Sequence, residues 1–247
     1  MTEAAKGFAP DHAWDRNFFL VTMVLAWVGV ILGFGGDIAY HVSSHEAPYL
    51  LIVHVHAVAF VGWLVLFTVQ IWLIRMRKWH IHKTLGLALI ALAAAMIVLG
   101  PAAEFLLQIR NFGTPDSDPA FLAVSFTEML AFGGLVGAAL LLRGAPSAHK
   151  RLMLMATLYI TSAAFARFTS DGIRSVIHDP FWGMFSVLYL CSDVLILGIG
   201  AYDWLTRRRL HPVYLPALVW VAANEIGSMW LYFQPFWLHF TTRLLGH

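Results

Sequence analysis

Asp37, His41 and His54 form the pattern D-x3-H-x12-H inside a chain that is otherwise almost entirely apolar. Residues four apart share one face of a helix, so Asp37 and His41 can point at a common atom, and a histidine from the next helix can close a three-ligand cup. Two imidazoles and a carboxylate suit zinc, copper or non-haem iron and leave a position open for water or substrate. The plainer alternative is that Asp37 caps its helix and the histidines hydrogen-bond at the level of lipid headgroups. His45 continues the stripe at i+8, but Ser43, Ser44 and Pro48 point to a helix that has already ended. His56 stands ~200° around the helix from His54, so the two do not easily reach one ion, and spacing does not choose between them.

Four further carboxylates lie within apolar stretches: Glu104, Glu128, Asp193 and Glu225. At ~1.5 Å per residue, Asp193 and Glu225 fall near mid-depth and Glu104 and Glu128 in the outer half. A carboxylate at the centre of a span costs roughly 2.5 to 3.5 kcal/mol on insertion scales, so these residues need partners inside the bundle or protons. They are the candidate catalytic acids and bases, and alternatively second ligands of a dinuclear centre or acceptors for the ligating histidines. Glu104 follows Gly100-Pro101, a pair expected to bend its helix. Arg167 and Asp171 read as a local i,i+4 ion pair, with a hold on an anionic substrate as the alternative. His82, His149 and His211 accompany basic clusters and read as headgroup contacts. The inner half shows few other ionisable residues, Asp203 among them.

The elements that must position these groups are membrane helices. Hydrophobic residues make up 60% of the chain and charged residues 12%, which excludes an ordinary soluble domain. Apolar stretches at about 17–40, 49–75, 84–109, 120–142, 151–168, 181–205 and 213–245 predict an all-α polytopic membrane protein of seven transmembrane helices, since ~20 residues suffice to span. The expected organisation is a single domain over 1–247, with 1–16 as a cytoplasmic N-terminal segment. Basic residues gather in RMRKWHIHK, RGAPSAHKR and RRRLHP, while the alternate loops read NFGTPDSDP and SDGIRSVIHDP. The positive-inside rule then places the N-terminus in the cytoplasm and the C-terminus outside. No cleaved signal peptide is read at the N-terminus. A net charge of +2 is accounted for by loops facing anionic lipid, so nucleic acid is not implied. Cys191 is the only cysteine, which rules out an internal disulfide, a zinc finger and a C-x-x-C-H haem attachment. Trp79, Trp182 and Trp237 read as an aromatic belt.

The stretches HVHAVAFVGWLVLFTVQIWLIRMRKWHIHKTLG, HKRLMLMATLYITSAAFAR and YDWLTRRRLHPVY resemble a family of uncharacterised bacterial seven-helix membrane proteins. Separately, Gly36-Asp37 through His54 resembles the motif with which the C subunit of particulate methane and ammonia monooxygenases binds copper. The neighbouring N-x3-H-x13-H motif of that subunit is absent, because Asn224 is followed four residues later by Ser228. What this second resemblance implies is a membrane-embedded Asp/His/His site for a transition metal, copper being the one it suggests.

These readings lead to a bacterial inner-membrane metalloprotein, expected to be a metal-dependent oxidoreductase whose apolar substrate arrives laterally from the bilayer, alone or with partner subunits or as a homo-oligomer. Glu104, Glu128, Asp193 or Glu225 would shuttle protons. Alternatives are a zinc-dependent hydrolase, a metal or proton transporter using the buried carboxylates, and a b-type cytochrome. A retinal protein is excluded, since Lys6, Lys78, Lys83 and Lys150 are the only lysines and none lies in the seventh helix.

Overall fold

The computed structural model describes residues 8–45 and 48–246, and among them every regular element is helical. Of the N-terminal segment 1–16, residues 1–7 lie outside the described residues. In chain order the helices are α1 (Asp15–Ser43), α2 (Leu51–Arg75), α3 (Trp79–Asn111), α4 (Leu122–Leu141), α5 (Pro146–Tyr159), α6 (Ser162–Arg174), α7 (Pro180–Arg207), α8 (Tyr214–Tyr232) and α9 (Pro235–Leu244), with one 3-10 turn, Pro119–Phe121, leading into α4. Among the described residues five stretches are long and apolar enough to cross a membrane: α1, α2, α3, Pro119–Leu141 and α7. The pair α5 and α6, bent by 48°, makes a sixth if taken as one span. The stretch expected as a seventh span is instead divided at Phe233-Gln234 into α8 and α9, because Pro235 opens a new helix.

Local chemistry explains where the helices begin and end. Proline stands in the first turn of α5, α7, α9 and the 3-10 turn, where its missing N–H would be unpaired in any case. The α7 start is also capped by the Asp179 side chain, which accepts the Trp182 N–H at 2.8 Å. The α2 end closes as a Schellman motif. Arg77 adopts φ 57° while the N–H groups of Lys78 and Arg77 bond the carbonyls of Leu73 and Ile74 at 2.8 and 3.0 Å. Left-handed non-glycine residues also follow α1 and end α7, at His45 (φ 54°) and Arg208 (φ 55°).

The chain divides into two compact units, and the division falls inside α4 and α8. The first comprises Met1–Ser44 and Gly134–Ala223. In it α6 packs on α1 and α7, and α5 packs on α7. Every residue from Arg151 to Ser162 is buried, the mark of a helix enclosed on all sides. Near Ile160 the helix breaks without a proline or glycine. The Thr161 hydroxyl and N–H both turn back to the Leu158 carbonyl, at 2.6 and 3.1 Å, displacing the regular ladder before α6 restarts. Helices α1 and α6 come so close that a Cβ on Gly33 would collide with the Ala164 carbonyl oxygen.

The second unit comprises His45–Gly133 and Asn224–His247. Here α2 and α3 form a hairpin, and Trp63, fully buried, meets Phe132 edge to face at 5.1 Å. Such a pair contributes roughly 0.5–1.5 kcal/mol beyond the area it buries. Helix α3 continues through Pro101 to Asn111. The adjacent Gly100 lies where an added Cβ would sit 2.8 Å from Met129 Cγ, so its small size lets α4 pack there.

Candidate functional site

The D-x3-H half of the sequence motif lies on one unbroken helix, since α1 runs through both Asp37 and His41 to Ser43. Asp37 is exposed and faces Arg167 of α6, with Nε 3.6 Å from Oδ2. Arg167 also lies over the Phe34 ring at 4.3 Å and donates to the Ala163 carbonyl at 2.7 Å. The expected local pair of Arg167 with Asp171 is therefore corrected: among the described residues Arg167 pairs with Asp37, because the close α1–α6 approach brings that carboxylate nearer. His45 lies beyond the helix end in a left-handed conformation and leaves the Asp37–His41 stripe. On α2, His54 is exposed with its ring edge toward Tyr49 at 6.2 Å, whereas His56 is half-buried and stacked on Phe60 at 4.1 Å. Among the described residues, no three His, Cys, Asp or Glu side chains gather closely enough to hold a metal ion. The donors on α1 fit a metal in type and register, but the geometry does not assemble a full ligand set around them.

Of the four carboxylates read as catalytic, Glu225 is buried on α8, while Glu104, Glu128 and Asp193 are half-buried on α3, α4 and α7. Glu104 accepts the Gln108 amide at 2.8 Å, and the Gln108 carbonyl oxygen in turn accepts the Asp118 N–H at 2.8 Å. Glu104 is thus tied to the loop before α4.

The most completely built polar cluster belongs to the first unit, at the end where α1 begins, α5 begins and α7 finishes. Arg151, 1% exposed, grips Asp203, 0% exposed, in a two-pronged ion pair whose Nε–Oδ2 bond is 2.7 Å. Its remaining nitrogen donates to the carbonyl and hydroxyl of Ser147, at 2.9 and 2.8 Å. Beside it, Asp15 receives both a Lys150 ammonium at 2.7 Å and the Tyr202 hydroxyl at 2.6 Å. Arg207 also donates to both oxygens of that carboxylate at 2.8 Å. Phe8 lies under the guanidinium groups of Arg151 and Arg207, at 4.8 and 5.0 Å, and meets the His211 ring edgewise at 4.6 Å. The segment leading into α1 is thereby strapped across the ends of α5 and α7. Its two carboxylates are saturated by three cations and a phenol, so the cluster presents no free nucleophile or open ligand position. It is a clasp rather than a reaction centre.

This cluster corrects two sequence expectations. The basic end is rich in buried ionisable groups, and His211 is a buried member of the cluster rather than a headgroup contact. The available signal was the set of acidic residues, Asp15 and Asp203, placed within helical reach of basic loops. Charge complementarity across distant segments is invisible to a count of loop charges alone. His149 differs: its Nδ1 bonds the Ala139 carbonyl at 2.9 Å and ties α5 to the end of α4.

His211 gives the clasp a pH dependence. Burial, reinforced by Arg151, pulls its pKa down from 6.5 to about 4, and its Nδ1 accepts the Val213 N–H at 3.2 Å, so the ring is neutral with its proton on Nε2. The unfolded chain takes up a proton near pH 6.5 while the folded chain does not until near pH 4. The stabilisation is therefore complete above pH 6.5 and fades as pH falls toward 4, by up to about 3 kcal/mol. Thermal melts of the purified protein should show this loss, and His211→Gln should flatten the profile; an unchanged slope in that variant contradicts the assignment.

Comparison of the chain with protein-family models, with curated proteins and with solved structures gives no match.

Proposed function

We propose that the chain is a multi-pass carrier of the bacterial inner membrane that moves a proton or metal ion, and that the Asp15–Lys150–Arg207 clasp is its cytoplasmic lock. The observation that carries this reading is a double ion-pair network, buried yet next to the loops, holding the segment that leads into α1 against the ends of two other helices. Buried ion pairs contribute little net stability, but losing one partner is costly, so they suit an element with two discrete states. The broken α5–α6 pair supports the same reading, since discontinuous helices are where carriers expose backbone carbonyls and hydroxyls to an ion. Around this break Thr157, Tyr159, Thr161, Ser162, Tyr189 and Ser192 are all buried. Glu104, Glu128, Asp193 and Glu225 supply proton-accepting groups within the spans. In this proposal α8 and α9 together complete a seventh span, with the N-terminus inside and the C-terminus outside.

Reconstitution into liposomes tests the proposal directly. The protein should pass protons or divalent transition metal ions faster than protein-free vesicles. Asp15→Asn, which keeps the shape of the clasp but removes its charge, should change that flux about tenfold, the effect of 1.4 kcal/mol on a two-state equilibrium. Vesicles no leakier than empty ones, for protons and metals alike, overturn the carrier reading.

A second reading, metal-dependent oxidation or hydrolysis with Asp37 and His41 as ligands, is favoured by one observation: both side chains stand one turn apart on continuous α1. Copper is suggested by the motif resemblance, with iron or zinc as alternatives, and His54 or His56 as the third donor. Retention of one transition-metal equivalent by the same preparation, lost in both Asp37→Ala and His41→Ala, distinguishes this reading from the carrier.

A further inference from the structure

We propose that a groove in the second unit, between the 3-10 turn and the start of α9, binds a small protonated amine carrying a short apolar body. The groove has a volume of about 330 Å³ and is lined by Asp118, Ala120, Tyr232, Phe233, Gln234, Pro235 and Leu238. Three hydrogen bonds build it. The Tyr232 hydroxyl donates to Asp118 Oδ2 at 2.7 Å, the Asp118 N–H donates to Gln108 at 2.8 Å, and the Trp237 indole N–H donates to the Ala120 carbonyl at 3.0 Å. The first orients the carboxylate by one oxygen. The other oxygen, Oδ1, has no hydrogen bond or ion pair among the described residues.

A half-buried carboxylate against an apolar wall is best satisfied by a cation that also donates hydrogen bonds. The remaining walls specify which cation. Phe233, set edgewise to Tyr232 at 4.9 Å, offers an aromatic surface attractive to positive charge, and Ala120, Pro235 and Leu238 accept hydrocarbon. A bare magnesium or calcium ion takes six or more oxygen ligands, whereas the side chains of this groove offer one carboxylate, the Tyr232 hydroxyl already bonded to it and the Gln234 amide. An anion meets Asp118 as a like charge. A primary ammonium with a short apolar tail uses every wall.

The test uses the full chain in nanodiscs of zwitterionic lipid, with 2-phenylethylammonium as the probe and 2-phenylethanol as its neutral counterpart. The amine should bind saturably above empty nanodiscs, and at least tenfold more tightly than the alcohol. Asp118→Asn should weaken the amine at least tenfold. Leu238→Trp, which fills the groove without touching the carboxylate, should abolish binding while leaving the thermal melt in place. The proposal is overturned by equal binding of amine and alcohol, by unchanged affinity in Leu238→Trp or in a folded Asp118→Asn, or by no saturable binding up to about 1 mM.

Discussion

Arg151→Met should destabilise the protein by about 3 kcal/mol or more, the largest single-residue effect expected here, because it strips the buried Asp203 carboxylate of its two-pronged guanidinium partner and leaves it only Arg207, 3.6 Å away. For a chain of this size that is a fall in melting temperature on the order of 10 °C. The cost comes from the under-compensated buried charge more than from the lost attraction, which makes a second measurement decisive. Pairing Arg151→Met with Asp203→Leu removes both charges and fills similar volume, so the double variant should recover most of the loss. The Ser147 contacts and the Phe8 stacking disappear in both variants and set the part that is not recovered. Melts of the purified single and double variants check this; a single variant within 1 kcal/mol of the parent, an effect no larger than that of an exposed pair, excludes a buried, fully used ion pair at this position.

Gly33→Ala comes second. A methyl group there collides with the Ala164 carbonyl oxygen, and the obstacle is backbone, which cannot rotate away as a side chain can. Overpacking of this kind costs roughly 1–3 kcal/mol, and an immovable neighbour puts Gly33 at the upper end. The same helix supplies the control. Gly36 also lies within α1, but an added Cβ there meets nothing within 4 Å, so Gly36→Ala should stabilise by up to about 1 kcal/mol through helix propensity alone. Opposite signs for two glycines three residues apart are the expected result, and equal melting temperatures for the two variants contradict the α1–α6 contact.

The helical layout was legible in the sequence wherever apolar length alone decides. The expected stretches 17–40, 49–75 and 181–205 correspond to α1, α2 and α7 with ends displaced by a few residues, because local caps such as Asp179 and the left-handed Arg77, and not apolar length, set where a helix starts and stops. Two elements were not legible in this way. The α5–α6 break carries no proline or glycine and depends on a threonine bonding backward, a choice that tertiary packing makes. The α8–α9 break did carry a signal, Pro235, hidden inside a long apolar run. For the site, the register of Asp37 and His41 on one helix follows from spacing alone, while the partner of Asp37 does not. Arg167 reaches it only because Gly29 and Gly33 let two helices touch, and no periodicity within either helix announces that. The clasp around Asp15 was hidden for the same reason: its Arg207 stands 192 residues further along the chain.

Arg77 and Arg208 complete helices α2 and α7 in a backbone conformation that glycine adopts freely and other residues only at an energetic cost of about 1 kcal/mol or more. In the proposed topology both belong to the clusters of positive charge that would orient the chain in the bilayer. Under that proposal the demands of biogenesis and of the finished fold pull in opposite directions at these two positions, and an arginine held in strain is where they meet. A glycine would give the tighter turn, but in that topology it would leave one fewer charge by which the two sides of the membrane are told apart.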